Sequence, residues 1–97
     1  MAADEDLDAL EIPIDGVLDL HPFAPREIKE LVPDYLAECR TRGILEVRII
    51  HGKGIGNLRR SVHALLERSE HVDSFALAGG EAGSWGATLV TLRAPSA

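Results

Sequence analysis

Between Glu46 and Arg68 the chain changes periodicity within a few residues, and no other stretch constrains the fold as strongly. Glu46–Ile50 (EVRII) is short, apolar and β-branched, as a strand requires. His51–Asn57 (HGKGIGN) is a glycine-rich loop, and Leu58–Arg68 then repeats apolar residues at helical spacing. Leu58, Val62, Leu65 and Leu66 share an inward face, with Arg59, Arg60, His63 and Glu67 expected outward. A strand that runs through a glycine turn into an amphipathic helix begins a strand–helix–strand unit, whose crossover is right-handed.

The rest of the chain follows the same alternation. Val17–His21 (VLDLH) alternates, placing Leu18 and Leu20 toward a core and Val17, Asp19 and His21 on the other side. Pro22 and Pro25 punctuate a turn, and Pro25 suits the first position of a helix. That helix is expected over Arg26–Thr41, from the spacing of Ile28, Leu31, Val32, Tyr35, Leu36 and Cys39. Pro33 should kink it or split it, and Gly43 is a natural C-terminal cap. Ser74–Ala78 (SFALA) and Ala87–Arg93 (ATLVTLR) are the third and fourth strands, joined by the glycine-rich loop Gly79–Gly86. The order β-α-β-α-β-β predicts an α/β (α+β) two-layer sandwich. Its four-stranded mixed sheet is expected to be mostly parallel, with two helices on one face. The first three strands should run parallel, and the fourth antiparallel to the third because their connection is short.

A length of 97 residues suits one domain, and 4% aromatic content requires an aliphatic core. No apolar run approaches the ~20 residues of a membrane span. The opening MAADEDLDALEIP has no basic residue ahead of an apolar stretch, unlike secretory or transit signals. The single cysteine, Cys39, reads as helix core and excludes an internal disulfide or a multi-cysteine metal site. These features favour a cytoplasmic protein with no membrane partner.

The net charge of −6 is carried by residues 1–16, which hold Asp4, Glu5, Asp6, Asp8, Glu11 and Asp15 and no Lys or Arg. The remaining 17–97 balance ten acidic against ten basic residues. The chain thus divides into an acidic, flexible leader (1–16), a neutral domain (17–93) and a short tail (94–97). The leader is either a solvating arm or an autoinhibitory arm lying over a basic site.

Asp19 and His21 lie two apart on a strand and so share a face. A carboxylate that orients an imidazole suits general acid–base work, such as taking a proton from water or a 2′-hydroxyl. The same pair could equally be a solvent-facing strand end. In the loop, Gly52, Gly54 and Gly56 allow close backbone approach, the helix N-terminus favours phosphate, and Lys53, Arg59 and Arg60 add positive charge. A plain tight turn is the alternative. The glycine spacing fits neither a Walker A loop nor a dinucleotide fingerprint. Both groups fall at the carboxyl ends of their strands, where open α/β sheets bind ligands, so Asp19, His21, His51 and Lys53 can converge. Trp85, in the late glycine loop, could stack on a base or fold back over the domain. His63 and His71 read as surface residues, no pair of histidines has metal-site spacing, and no cofactor is implied.

Three segments in order, LDLH at Leu18–His21, IHGKG at Ile50–Gly54 followed by Leu58–Arg59, and the late glycine–Thr88 strand, resemble the small MutS-related (Smr) domain family. The resemblance runs from about Val17 to Arg93. It implies a sandwich similar to the C-terminal domain of the third bacterial translation initiation factor, in a stand-alone form. It also implies nuclease activity, nicking DNA or cleaving RNA, with the ribosome as a further partner. Asp19 and His21 match the family's D-x-H motif, His51–Gly54 its H-G-K-G loop, and Arg59 the basic position after it. Pro22 stands where the family usually has Gly, and Ser84 replaces the second glycine of the late motif. The expected function is a metal-independent endonuclease. His21 and Asp19 would transfer protons, with His51 as a second acid–base or phosphate contact. The rival is a binding module for nucleic acid or the ribosome that turns nothing over. The sequence leaves the oligomeric state open.

Overall fold

A computed structural model describes residues 12–52, 57–78 and 86–95. Its elements are β1 (Val17–Asp19), α1 (Pro25–Thr41), β2 (Glu46–Ile50), α2 (Asn57–Arg68), β3 (Val72–Leu77) and β4 (Ala87–Leu92). The strands form one mixed sheet in the order β1-β2-β4-β3. β1 pairs with β2 in parallel, and β4 pairs antiparallel with both β2 and β3. Three strands therefore run one way and β4 opposes them, as expected. The neighbours differ from the chain order because the β2–α2–β3 crossover leaves a gap one strand wide, and β4 returns into it. Only one ladder is consequently parallel.

The register shows how one face becomes the core. Leu18, Ile49, Thr88 and Leu77 lie in one row across the sheet, and Val47, Val90 and Phe75 in the next. Leu18, Val47, Ile49, Val90 and Thr88 are all buried. The helices cover this face with Ile28, Leu31, Val32, Tyr35, Leu36 and Cys39 from α1 and Val62 and Leu66 from α2. The opposite row, Val17, Arg48, Leu89 and Ala76, is open enough that Val17 and Leu89 are exposed. Ile12 and Ile14 pack against the core, so the part of the acidic leader nearest the domain lies on it. Residues 1–11 lie outside the described structure.

Capping explains the limits of α1. Pro25 occupies its first turn after Ala24, and the Glu27 carboxylate accepts the Ala24 N–H at 2.7 Å. At the other end Gly43 takes φ +79°, its N–H bonds to the Arg40 carbonyl, and the Ile44 N–H bonds to that of Cys39. These are the two bonds of a Schellman motif, and they need the left-handed conformation that glycine adopts freely. Pro33 does not split the helix. It is exposed, so the Lys29 carbonyl it leaves without an intrahelical partner is on the solvent side.

Tyr35 ties α1 to the start of the sheet. Its buried hydroxyl accepts the Gly16 N–H at 3.1 Å and donates to the Val17 carbonyl at 3.2 Å. Burial pushes its pKa up to about 12, with the nearby Cys39 as a smaller cause. Replacing Tyr35 with Phe would leave the buried Gly16 amide without its partner. The expected cost is about 1–3 kcal/mol, read as a lower urea midpoint at unchanged slope.

Candidate functional site

The parallel pairing of β1 with β2 brings their carboxyl ends together, and β4 begins at the same edge. Asp19 lies beside Ile50, and Ile50 beside Ala87. β1 is shorter than the alternation suggested and ends at Asp19. Leu20 still bonds the Ile50 carbonyl, and the chain then turns, with the Phe23 N–H bonded to the Leu20 carbonyl at 3.1 Å. His21 and Pro22 occupy that turn, so the imidazole stands at the sheet edge and not on a strand face.

Asp19 Oδ1 accepts both the His21 backbone N–H at 3.0 Å and His21 Nδ1 at 2.6 Å. The backbone bond, reinforced by the side-chain bond, holds the Asp19 carboxyl below its usual range. The carboxylate therefore fixes the proton on Nδ1 and turns Nε2 outward. The side chains are 64% and 54% exposed, so this is a solvent-open pair. What Nε2 faces is Gly52, whose φ is +85°: a Cβ built there would lie 3.3 Å from His21 Nε2. The D-x-H pair and the glycine loop, 31 positions apart in sequence, are thus in direct register at one edge.

Other predicted residues are placed differently. The His51 and Gly52 amides both donate to the Gly86 carbonyl at 2.9 Å, so neither is presented to a ligand. Gly52 contributes space for His21, not a phosphate-binding N–H. His51, expected beside His21, turns inward and is 6% exposed. Its Nδ1 contacts the Gly52 carbonyl at 3.0 Å and its Nε2 the Thr88 hydroxyl at 2.8 Å. Arg59 is half-buried near the start of α2, and Arg60 is exposed with Nη1 3.3 Å from Asn57 Oδ1. Lys53, Gly54, Gly56 and Trp85 lie outside the described residues. Among the described residues no group of three or more His, Cys, Asp and Glu is arranged to hold a metal ion.

His63 departs from its expected surface position. It is half-buried, its Nε2 lies 2.7 Å from Thr88 Oγ1, and its ring tilts against Phe75 at 4.9 Å. Position 63 borders the Val62–Leu66 stripe, which carries its side chain down to the sheet. Burial lowers its pKa below 6.5, the charges of His51 and Arg59 add to this, and Glu67 opposes it. A depressed histidine pKa means the unfolded chain takes up its proton first. The stabilisation is complete above the unfolded value of 6.5 and is lost as pH falls through the folded one. The urea midpoint of the wild type should drop as pH falls below 6.5, and His63→Gln should flatten that drop.

The sequence profile of the Smr domain matches residues 18–93, most of the chain. The chain belongs to the Smr domain family. Endonuclease MutS2 of Halothermothrix orenii is 35% identical over 80 residues, covering 82% of this chain and 10% of that protein. Endonuclease MutS2 of Thermus thermophilus is 38% identical over 76 residues, again with 10% of its length covered. This Smr domain therefore spans about a tenth of the length of those relatives. The crystal structure of the Smr domain of Thermus thermophilus MutS2 superposes with a TM-score of 0.75 at 38% identity, over 79% of this chain and 96% of that one. YdaL, a stand-alone small MutS-related protein from Escherichia coli, has a TM-score of 0.73 at 27% identity, over 96% of this chain and 78% of that one. The mixed four-stranded sheet with two helices is thus the fold of Smr domains.

Thr88 closes the late glycine motif of this Smr domain but had no role assigned to its side chain, and His63 was expected at the surface. Thr88 could have been found from β4 alone, because Thr88, Val90 and Leu92 share the inward face and a hydroxyl there requires a partner.

Proposed function

We propose that this Smr domain cleaves phosphodiester bonds in nucleic acid without a metal ion. The observation that carries the reading is the approach of His21 Nε2 to Gly52, which joins an oriented imidazole to the turn that opens α2. With Nδ1 committed to Asp19, Nε2 has the lone pair available at the sheet edge. It would take the proton from an attacking water, or from a 2′-hydroxyl in RNA, as the new bond to phosphorus forms. The same proton then serves the oxygen that leaves as the old P–O bond breaks. Positive charge for the phosphate comes from Lys53, Arg59 and Arg60, with the α2 N-terminus and the remaining loop amides adding to it. Trp85 is assigned to base stacking. The MutS2 relatives are endonucleases, which points the same way. Nucleic acid is the partner in this reading, with the ribosome reached through its RNA, and the cytoplasm is the compartment.

Labelled supercoiled plasmid and hairpin RNA, each incubated with the full chain with and without EDTA, test the proposal. Product that forms equally in both conditions supports it. Saturable binding without product at any protein concentration would instead make the domain a binding module. A chelator that abolishes cleavage would overturn the metal-independent mechanism.

A further inference from the structure

His63, Thr88 and His51 form a chain of side chains behind the sheet edge, and one carbonyl fixes the direction of every hydrogen bond in it. The Gly52 carbonyl can only accept, so His51 Nδ1, 3.0 Å away, carries the proton and donates. Neutral His51 then presents a lone pair at Nε2, which must accept from the Thr88 hydroxyl at 2.8 Å. That uses the only hydroxyl proton of Thr88, so Oγ1 accepts in turn from His63 Nε2–H at 2.7 Å. Thr88 is 0% exposed and His51 6%, so water offers little substitute for either.

We propose that Thr88 is a positioning residue, which locks the Gly52 turn beneath His21 through a one-way relay from His63 to His51. The relay ends on the carbonyl of the residue against which His21 Nε2 rests, and Gly86, one residue before β4, anchors the same turn from the other side. His51 has both ring nitrogens committed and is a positioning residue rather than a second base. The groups facing His63 are His51 from the turn after β2, Phe75 from β3, Thr88 from β4, and Arg59 and Glu67 from its own helix. Burial favours neutral His63, and the Arg59 guanidinium on the same helix adds to this, consistent with the relay. The existence of the relay is independent of turnover, whereas its service to catalysis rests on the phosphodiester reading above.

Long-range nitrogen–proton NMR on the labelled full chain near neutral pH reads the relay directly. Wild type should show His51 protonated at Nδ1 and His63 at Nε2. Thr88→Val should shift and broaden the Gly52 amide and lower kcat for plasmid or RNA about 10- to 100-fold, with KM changing less. Thr88→Ser, which restores the hydroxyl, should recover the tautomers and most of the rate. Protonation of wild-type His51 at Nε2 would overturn the relay. A Thr88→Val variant that keeps both the Gly52 amide and the cleavage rate would overturn the positioning role. If the wild type cleaves neither substrate, the function reading fails, and the tautomers and the Gly52 amide still decide the relay. If Thr88→Val does not fold, the wild-type tautomers and the Thr88→Ser rate decide it.

Discussion

Replacing His21 with Ala should reduce cleavage about 100- to 10,000-fold, the usual contribution of a positioned proton-transfer group. The fold should tolerate the change. The His21 side chain is 64% exposed and its ring bonds to exposed Asp19, so stability should stay within about 0.5 kcal/mol of wild type. Nucleic-acid affinity should also change little, because the cations assigned to phosphate lie on the loop and α2. Loss of rate without loss of binding or stability is the signature expected of a group that acts in the transition state.

Asp19→Asn refines the same result. An Asn amide can present a donor where the carboxylate presents only acceptors, which would put the imidazole proton on Nε2 and remove the lone pair that faces Gly52. Its rate should fall between those of wild type and His21→Ala. The double variant should be no slower than His21→Ala alone, because Asp19 acts through His21. A His21→Ala protein that cleaves at the wild-type rate would remove His21 from the chemistry altogether.

The parts of the molecule governed by local rules were legible in the sequence. The strand of Glu46–Ile50, the inward stripe of α1, the Gly43 cap and the antiparallel direction of β4 all follow from periodicity and turn chemistry. The placement of β4 between β2 and β3 was not legible, since strand direction does not dictate which neighbours a returning strand meets. Of the two outcomes expected at Pro33, the split does not occur: the carbonyl it orphans faces water, and the buried stripe of α1 continues on both sides of it. At the site, the meeting of the D-x-H pair with the glycine turn could be argued from parallel strand ends. The inward rotation of His51 could not be, because it depends on a hydroxyl 37 residues away. His63 was hidden for the same reason: its partner comes from another element, and helical periodicity alone leaves a residue at the stripe's border undecided.

Gly52→Ala should impair the protein twice, and the two effects can be separated. With φ at +85° the position suits glycine, and an alanine there should destabilise the fold by about 1–2 kcal/mol. Its methyl would also lie 3.3 Å from His21 Nε2, the nitrogen that must reach the phosphodiester. Either the imidazole shifts by a few tenths of an ångström or the turn does, and both strain the Asp19–His21–Gly52 alignment. A displacement of this kind should lower kcat about 10- to 100-fold. If the steric effect acts through His21, the His21→Ala/Gly52→Ala protein should be no slower than His21→Ala, while its stability should fall by the full amount seen in Gly52→Ala alone. Non-additive rates with additive stabilities would separate the catalytic contact from backbone strain. Additive losses in both would show that Gly52 serves the turn only, and that its proximity to His21 has no part in catalysis.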